Sequence, residues 1–197
     1  PVKVKYKDYE SYNEEIITNI ETIDEYNVIS NENYSIITNQ KGEGYSKYKN
    51  IIINRYKQTA DEAQGMFFYL KNISDNRIWM ANYASFLDKP DKYNTVFSPD
   101  STKIVRQDGD IEITANTTVD VEEPIEIRNL KIKNIGNREQ ILEVTGSFEP
   151  VISTQIQDIS HPVFNDLFLR NEFENDNIII ERRQRDKNAE KIFLATT

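Results

Sequence analysis

The most constraining feature of the chain is a strict two-residue alternation. Ile111, Ile113, Ala115, Thr117, Val119 and Val121 alternate with Glu112, Thr114, Asn116, Thr118 and Asp120. Successive strand residues point to opposite faces, so this run buries one side and wets the other; a helix would mix the two sets on every face. The pair Asp108-Gly109 just ahead of it is a hairpin signal, since glycine accepts the positive φ of a twisted two-residue loop. Thr102 to Gln107 is then the partner strand.

The same grammar extends along the chain. From Tyr26 onward, short runs rich in Ile, Val, Tyr, Phe and Thr are separated by Asn, Gly, Asp and Pro, the pattern of strands joined by turns. Ile125 and Ile127 lie in one phase and Leu130 and Ile132 in the other, which predicts a bulge near Asn129 or a strand buried on both faces. Leu142, Val144, Gly146 and Phe148 resume the alternation. With Asn134-Ile135-Gly136-Asn137 as the turn, Ile125 to Val151 reads as one long hairpin. The expected architecture is two stacked, mostly antiparallel twisted sheets with Ile111, Ile113, Val119, Leu142, Val144 and Phe148 inside.

Residues 1–25 are charged and Tyr-rich and read as a lead-in segment, with a helical turn or two around Tyr12 to Ile23. Residues 26–197 read as the β domain. A later interruption at Ser160 to Phe168 opens with His161-Pro162, where proline suits the first turn of a short helix. Strand signals resume at Leu167 to Phe173, Ile178 to Arg183 and Lys191 to Ala195. A chain that stops at a strand leaves an edge to manage, so the domain is expected to be truncated at the C-terminus; Pro1 likewise suggests an excised segment.

Composition narrows the chemistry. Thirty-three acidic against 24 basic side chains give a net charge of −9, which disfavours a phosphate-binding surface and a nucleic-acid partner. No cysteine and a single histidine exclude thiol nucleophiles, zinc fingers, iron–sulfur sites and His-rich metal sites, and no cofactor is expected. The lack of cysteine suits a reducing compartment. No apolar run approaches the length of a membrane helix, and the N-terminal residues carry no signal-peptide core.

Several motifs invite a functional reading, each beside a plainer one. Gly42 to Lys47 (GEGYSK) is glycine-rich but lacks the spacing of a phosphate loop, and a bent β turn accounts for it, with Tyr45 or Tyr48 packed on the sheet. Glu122-Glu123 and Asp108/Asp110 are acid pairs, yet catalytic carboxylates face each other across a bond, so solvated turn charges suffice. His161 is a candidate general base with no nucleophile motif around it; a loop histidine with a local hydrogen bond is the simpler reading. Trp79, Tyr45, Tyr48, Tyr56 and Tyr83 could stack on sugar rings or simply be half-buried sheet aromatics. Three Asn-x-Ser/Thr sequons, at Asn33, Asn72 and Asn116, are chance in a chain so rich in asparagine. Tyr45, Trp79 and His161 are the carbohydrate-binding candidates. Phe164, Leu167 and Phe168 are the interface candidates, being more apolar than a free loop should expose.

An ordered series of motifs adds a resemblance. ISNENYSIITN and GEGYSKYKNIIINRY between Val28 and Tyr56 resemble the opening of the N-terminal supersandwich domain of glycoside hydrolase family 94. Gly65 to Leu70, Arg77-Ile78-Trp79, Pro90 to Tyr93, Val96-Phe97-Ser98, Arg106-Gln107-Asp108, the strand from Ile125 to Asn134, HPVFNDLF (His161 to Phe168) and Asn171-Glu172-Phe173 follow in the family's order. The HPVFNDLF element is most similar to the cyclic β-1,2-glucan synthase branch. Glu32, Tyr48 and Met80 depart from the family's usual Gly, Trp and Ser.

The resemblance implies an all-β supersandwich, similar to galactose mutarotase-like domains. It also implies a non-catalytic accessory domain of a cyclic β-1,2-glucan synthase or β-glucan phosphorylase. In the family the catalytic acid and phosphate-binding groups lie in a C-terminal (α/α)6 barrel, so no catalytic residue carries over to this chain. The implied partners are that barrel, a second copy in a homodimer and, for the parent, a β-glucan or glucosyl substrate. The implied location is cytoplasmic, or a cytoplasmic domain of a membrane-bound parent. A free-standing carbohydrate-binding module is the alternative reading. A mutarotase-like enzyme is a third, which general acid–base transfer by a lone His161 supports poorly.

Overall fold

A computed structural model describes residues 15–17, 20, 23–55, 65–83, 89–183 and 193–196. The strands are β1 (Glu15–Ile17), β2 (Tyr26–Ser30), β3 (Tyr34–Asn39), β4 (Gly44–Tyr48), β5 (Ile51–Asn54), β6 (Met66–Asn72), β7 (Ile78–Met80), β8 (Lys92–Phe97), β9 (Ser101–Asp108), β10 (Ile111–Val119), β11 (Glu126–Asn134), β12 (Leu142–Phe148), β13 (Pro150–Ser153), β14 (Leu169–Glu174), β15 (Asn177–Arg182) and β16 (Phe193–Thr196). Two short helices, α1 (Gln155–Ser160) and α2 (Pro162–Asp166), separate β13 from β14. The fold is all-β and its ladders are antiparallel. Among the described residues they form four sheets rather than two, ordered β1-β8-β9-β10-β11, β13-β5-β4-β3-β2, β12-β6-β7 and β14-β15-β16.

The hairpin forms one residue later than expected, with Asp108 as the last residue of β9 and Gly109-Asp110 as the two-residue loop. Ile111 pairs with Asp108 and Ile113 with Arg106, and Gly109 takes φ +57. The inward side chains of β10 meet the third sheet, so that Ile111 and Ile113 pack with Leu70, Trp79 and Ala81. Further along, Val119 packs against Tyr34, Ile36 and Ile53 of the second sheet. The first sheet thus backs both the second and the third. Asn82 and Tyr83, just after β7, hydrogen-bond to Gly42 and Lys41 of the β3–β4 turn and join the latter two side by side.

Several expectations are corrected. Glu15–Ile17 is a strand against Thr95–Phe97, not a helical turn; β-branched Ile16 and Ile17 favour extension once a sheet edge is available. Ile125 to Val151 is not a hairpin: β11 pairs with β10, whereas β12 crosses to β6, with Gly146 opposite Phe68. Neither bulge nor double burial explains the phase change in β11, whose register with β10 is unbroken. Glu126 and Arg128 take the inward positions and Ile125 and Ile127 face solvent. Glu126 accepts from Tyr34 Oη at 2.9 Å and from Ser46 Oγ, while Arg128 donates to Glu126 and to Met66 O. Burial, reinforced by the neighbouring Glu126 charge, holds the Tyr34 phenol protonated far above its ordinary range. Val144, expected inside, lies on the exposed face of β12, while Leu142 is partly buried against the core.

Asp108 is another. It is no solvated turn charge, for its side chain is fully buried and accepts from Arg106 Nε at 2.6 Å and Nη2 at 3.0 Å. Residues two apart on a strand share a face, so the buried Arg106 meets its own counter-charge, and Arg77 adds a second contact at 3.2 Å. Asp110, Glu122 and Glu123 are exposed as expected.

Candidate docking surface

The carbohydrate candidates do not converge. Trp79 is 2% exposed, in the core between the first and third sheets, with the Arg77 guanidinium 5.6 Å from its ring. No sugar face reaches it, which removes Trp79 from the stacking platform. Tyr48 faces inward onto Tyr34 and Ile53. Tyr45 pairs with Ile37 on the opposite face of the same sheet, half-buried. Tyr83 is buried edge-to-face with Tyr93, and Tyr56 lies outside the described residues. His161 is exposed at the joint of α1 and α2, where its side chain makes no capping hydrogen bond. Between the sheets, Thr38, Asn82, Thr102, Asn116, Thr117 and Arg128 help line a cavity of about 10 Å³, the room of one water and too small for a sugar. Among the described residues no cluster of His, Asp or Glu could hold a metal ion, and no helix is long and apolar enough to cross a membrane.

The excursion after β13 is different. Pro162 opens α2 at its first turn, and Thr154 starts α1 with a capping box in which Thr154 and Gln157 exchange side-chain to backbone hydrogen bonds. Two helices therefore stand where the sequence predicts one turn. The residues they bury are polar, Asp158 and Asn165. Their apolar residues face out: Ile156 is 78% exposed, Ile159 71% and Val163 80%, with Leu167 beyond α2 at 75%. A surface helix ordinarily turns its apolar stripe inward; this pair is inverted.

The inversion has a cause in the sheet beneath. Arg55, at the end of β5 and buried, donates from Nη2 to Asp158 at 2.7 Å, to Asp166 at 3.2 Å and to Pro162 O at 3.3 Å, while Nη1 reaches Glu149. Asn165 Nδ2 donates to Val151 O at 3.1 Å, and Arg182 Nη1 donates to Asn165 Oδ1. Of the three interface candidates, Leu167 and Phe164 are exposed. Phe168 is half-buried, edge-to-face with Phe164 at 5.2 Å and beneath the Arg182 guanidinium at 5.5 Å. Sequence reasoning misses Ile156 and Ile159 because α1 begins before the His161-Pro162 signal, and misses Arg55 because its partners lie 94 to 111 residues away.

The family model for the glycosyl hydrolase 94 supersandwich domain matches residues 13–197, from just ahead of β1 through the helical pair and the fourth sheet. The chain belongs to this family. It is also similar to the cyclic beta-(1,2)-glucan synthase NdvB of Rhizobium meliloti (strain 1021), 28% identical over 171 residues that make up 85% of this chain and 6% of the relative. The chain thus spans about 6% of the length of the curated relative it matches. Within this supersandwich domain, the inverted helical pair presents apolar side chains that its own core does not bury.

Proposed function

We propose that the chain is a non-catalytic accessory domain of a carbohydrate-active enzyme, a cyclic β-1,2-glucan synthase or β-glucan phosphorylase, and that it supports the parent's (α/α)6 catalytic barrel by docking through the α1–α2 face. The observation that carries this reading is the inversion: Ile156, Ile159, Val163 and Leu167 are presented to solvent by helices fixed through polar side chains. Several large apolar side chains exposed within one short segment support an interaction site. Membership of the supersandwich family and the small share of the glucan synthase relative that the chain covers support placing it inside a larger enzyme. Attachment to a membrane-bound parent, with this domain on the cytoplasmic side, is part of the same reading.

The test mixes the chain with the separately produced barrel of its parent. A stable complex is expected, lost in an Ile159→Ser, Leu167→Ser variant, with no phosphorolysis or glucan synthesis by the chain alone. Calorimetric titration with β-1,2- and β-1,4-gluco-oligosaccharides is expected to give no saturable heat. Saturable binding at millimolar or tighter, with no barrel complex, would instead make the chain a free-standing carbohydrate-binding module.

A further inference from the structure

The helical pair is fastened by polar contacts, and the strand that delivers it is strained. With their apolar residues turned outward, α1 and α2 gain little adhesion to their own domain from apolar burial. Among the described residues the guanidinium of Arg55 reaches both helices, gripping α1 through Asp158 and α2 through Pro162 O and Asp166. Asn165 adds its bonds to Val151 O and Arg182.

A second observation is independent of these contacts. Ile152, just ahead of α1, has φ +46 and is 1% exposed. A β-branched residue in the left-handed region is a genuine outlier, and such strain persists only where the surroundings over-determine it. The register of β13 on β5 shifts at this point, between Pro150 and Ser153. Arg55 brackets the irregularity, its backbone N–H donating to Glu149 O on one side at 2.9 Å and its guanidinium holding Asp158 on the other.

We infer that α1–α2 is a latched flap, with Arg55 as its catch and the bulge at Ile152 as its strained hinge, and that it opens as a unit while the sandwich stays folded. A partner that docks on the outward apolar face binds the closed flap, so docking and latching reinforce one another by linkage. That coupling rests on the docking reading above; the flap itself does not.

Hydrogen exchange on the 197-residue chain, followed by mass spectrometry at several low urea concentrations, tests it without a partner. Exchange of the α1–α2 amides should be nearly flat in urea, because a local opening exposes little surface, while that of the β9 and β10 amides rises steeply. Arg55→Met should speed exchange of the α1–α2 amides by about tenfold or more, leaving them far less protected than β9 and β10. Asp166→Asn removes a half-exposed carboxylate at the edge of the latch while Asp158 and Glu149 still face Arg55, so the variant is expected to fold. It should speed α2 a few-fold with the flat urea response kept, and it decides the matter if Arg55→Met fails to fold. A wild-type α1–α2 response as steep as that of β10, or an Asp166→Asn variant with unchanged α2 exchange, would overturn the flap. Failure of the wild-type chain to form the barrel complex, with the exchange pattern as expected, would count against the docking reading alone.

Discussion

Arg55 and Asp158, 103 residues apart in sequence, lie side by side: Nη2 donates to Oδ1 at 2.7 Å and Nε reaches both carboxylate oxygens at 3.2 Å. Both side chains are largely buried. The hydrogen bond to Asp158 is the chief cause that raises the Arg55 pKa above its ordinary value, with burial opposing it. Forked, charge-assisted contacts of this kind fix orientation as well as charge.

Breaking the pair from one side should cost more than removing it whole. Asp158→Leu leaves a buried guanidinium whose remaining described carboxylates, Glu149 and Asp166, are more exposed, and should cost about 3 kcal/mol in urea unfolding. Arg55→Met combined with Asp158→Leu should cost less than the two single losses together, with a coupling of about 1–3 kcal/mol. Simple additivity would mean that the contact carries no energy of its own.

Gly44 should tolerate no side chain. It pairs with Thr38 at the start of β4, and a Cβ there would lie 1.8 Å from Ile37 O and 2.9 Å from Thr38 Cα. Both are backbone atoms of the neighbouring strand, so no rotamer change relieves the clash. Gly44→Ala should lower stability by about 2 kcal/mol or more. An unchanged melting temperature would show that β3 and β4 are free to separate there.

What was legible in the sequence was local. Gly109 marks its hairpin, with the loop one residue later than expected at Gly109-Asp110, because turn geometry depends on two residues, and the alternation of Ile111 and Ile113 names core residues because the strand period is fixed. Asn134 to Asn137 carries the same turn chemistry whether the chain returns to its sheet or leaves it. Only the pairing of Leu142–Phe148 with Met66–Asn72, some seventy residues upstream, decides which. The burial of Asp108 was within reach, since Arg106 shares its face. That of Glu126 and Arg128 was not, because their partners Tyr34, Ser46 and Met66 come from other sheets. For the docking surface, HPVFNDLF pointed to the right segment, but which apolar residues face out depends on Arg55 drawing Asp158 inward.

Glu43 should make the protein less stable as pH rises. Its carboxyl pKa is raised, chiefly by burial, against the hydrogen bond from Asn39 Nδ2 at 3.0 Å and the Lys41 charge. A group with a raised folded-state pKa binds more protons in the folded chain, so its contribution is lost as pH climbs from the ordinary Glu value of 4.5 through the folded one. Glu43→Gln keeps an acceptor for Asn39 and removes the titration. Its melting temperature should exceed that of the wild type at neutral pH, with the advantage shrinking toward pH 4. A variant less stable than wild type at neutral pH would mean that the Glu43 charge is favourable where it sits.

The outward apolar residues and the aromatic beneath them should respond in opposite ways. Ile159 and Leu167 are more than two-thirds exposed, so serine at both positions removes little buried surface and should leave the melting temperature within about 2 °C. Light scattering on concentrated samples should show less self-association, because the exposed patch has been made polar. Phe168 is half-buried, stacked beneath Arg182 and edge-on to Phe164. Phe168→Ser forfeits packing and a cation–π contact together and should cost about 1–3 kcal/mol. Phe164, half exposed, should fall between the two. If the Ile159→Ser, Leu167→Ser variant unfolds as readily as Phe168→Ser, those residues cap the domain's own core, and the face is not kept for a partner.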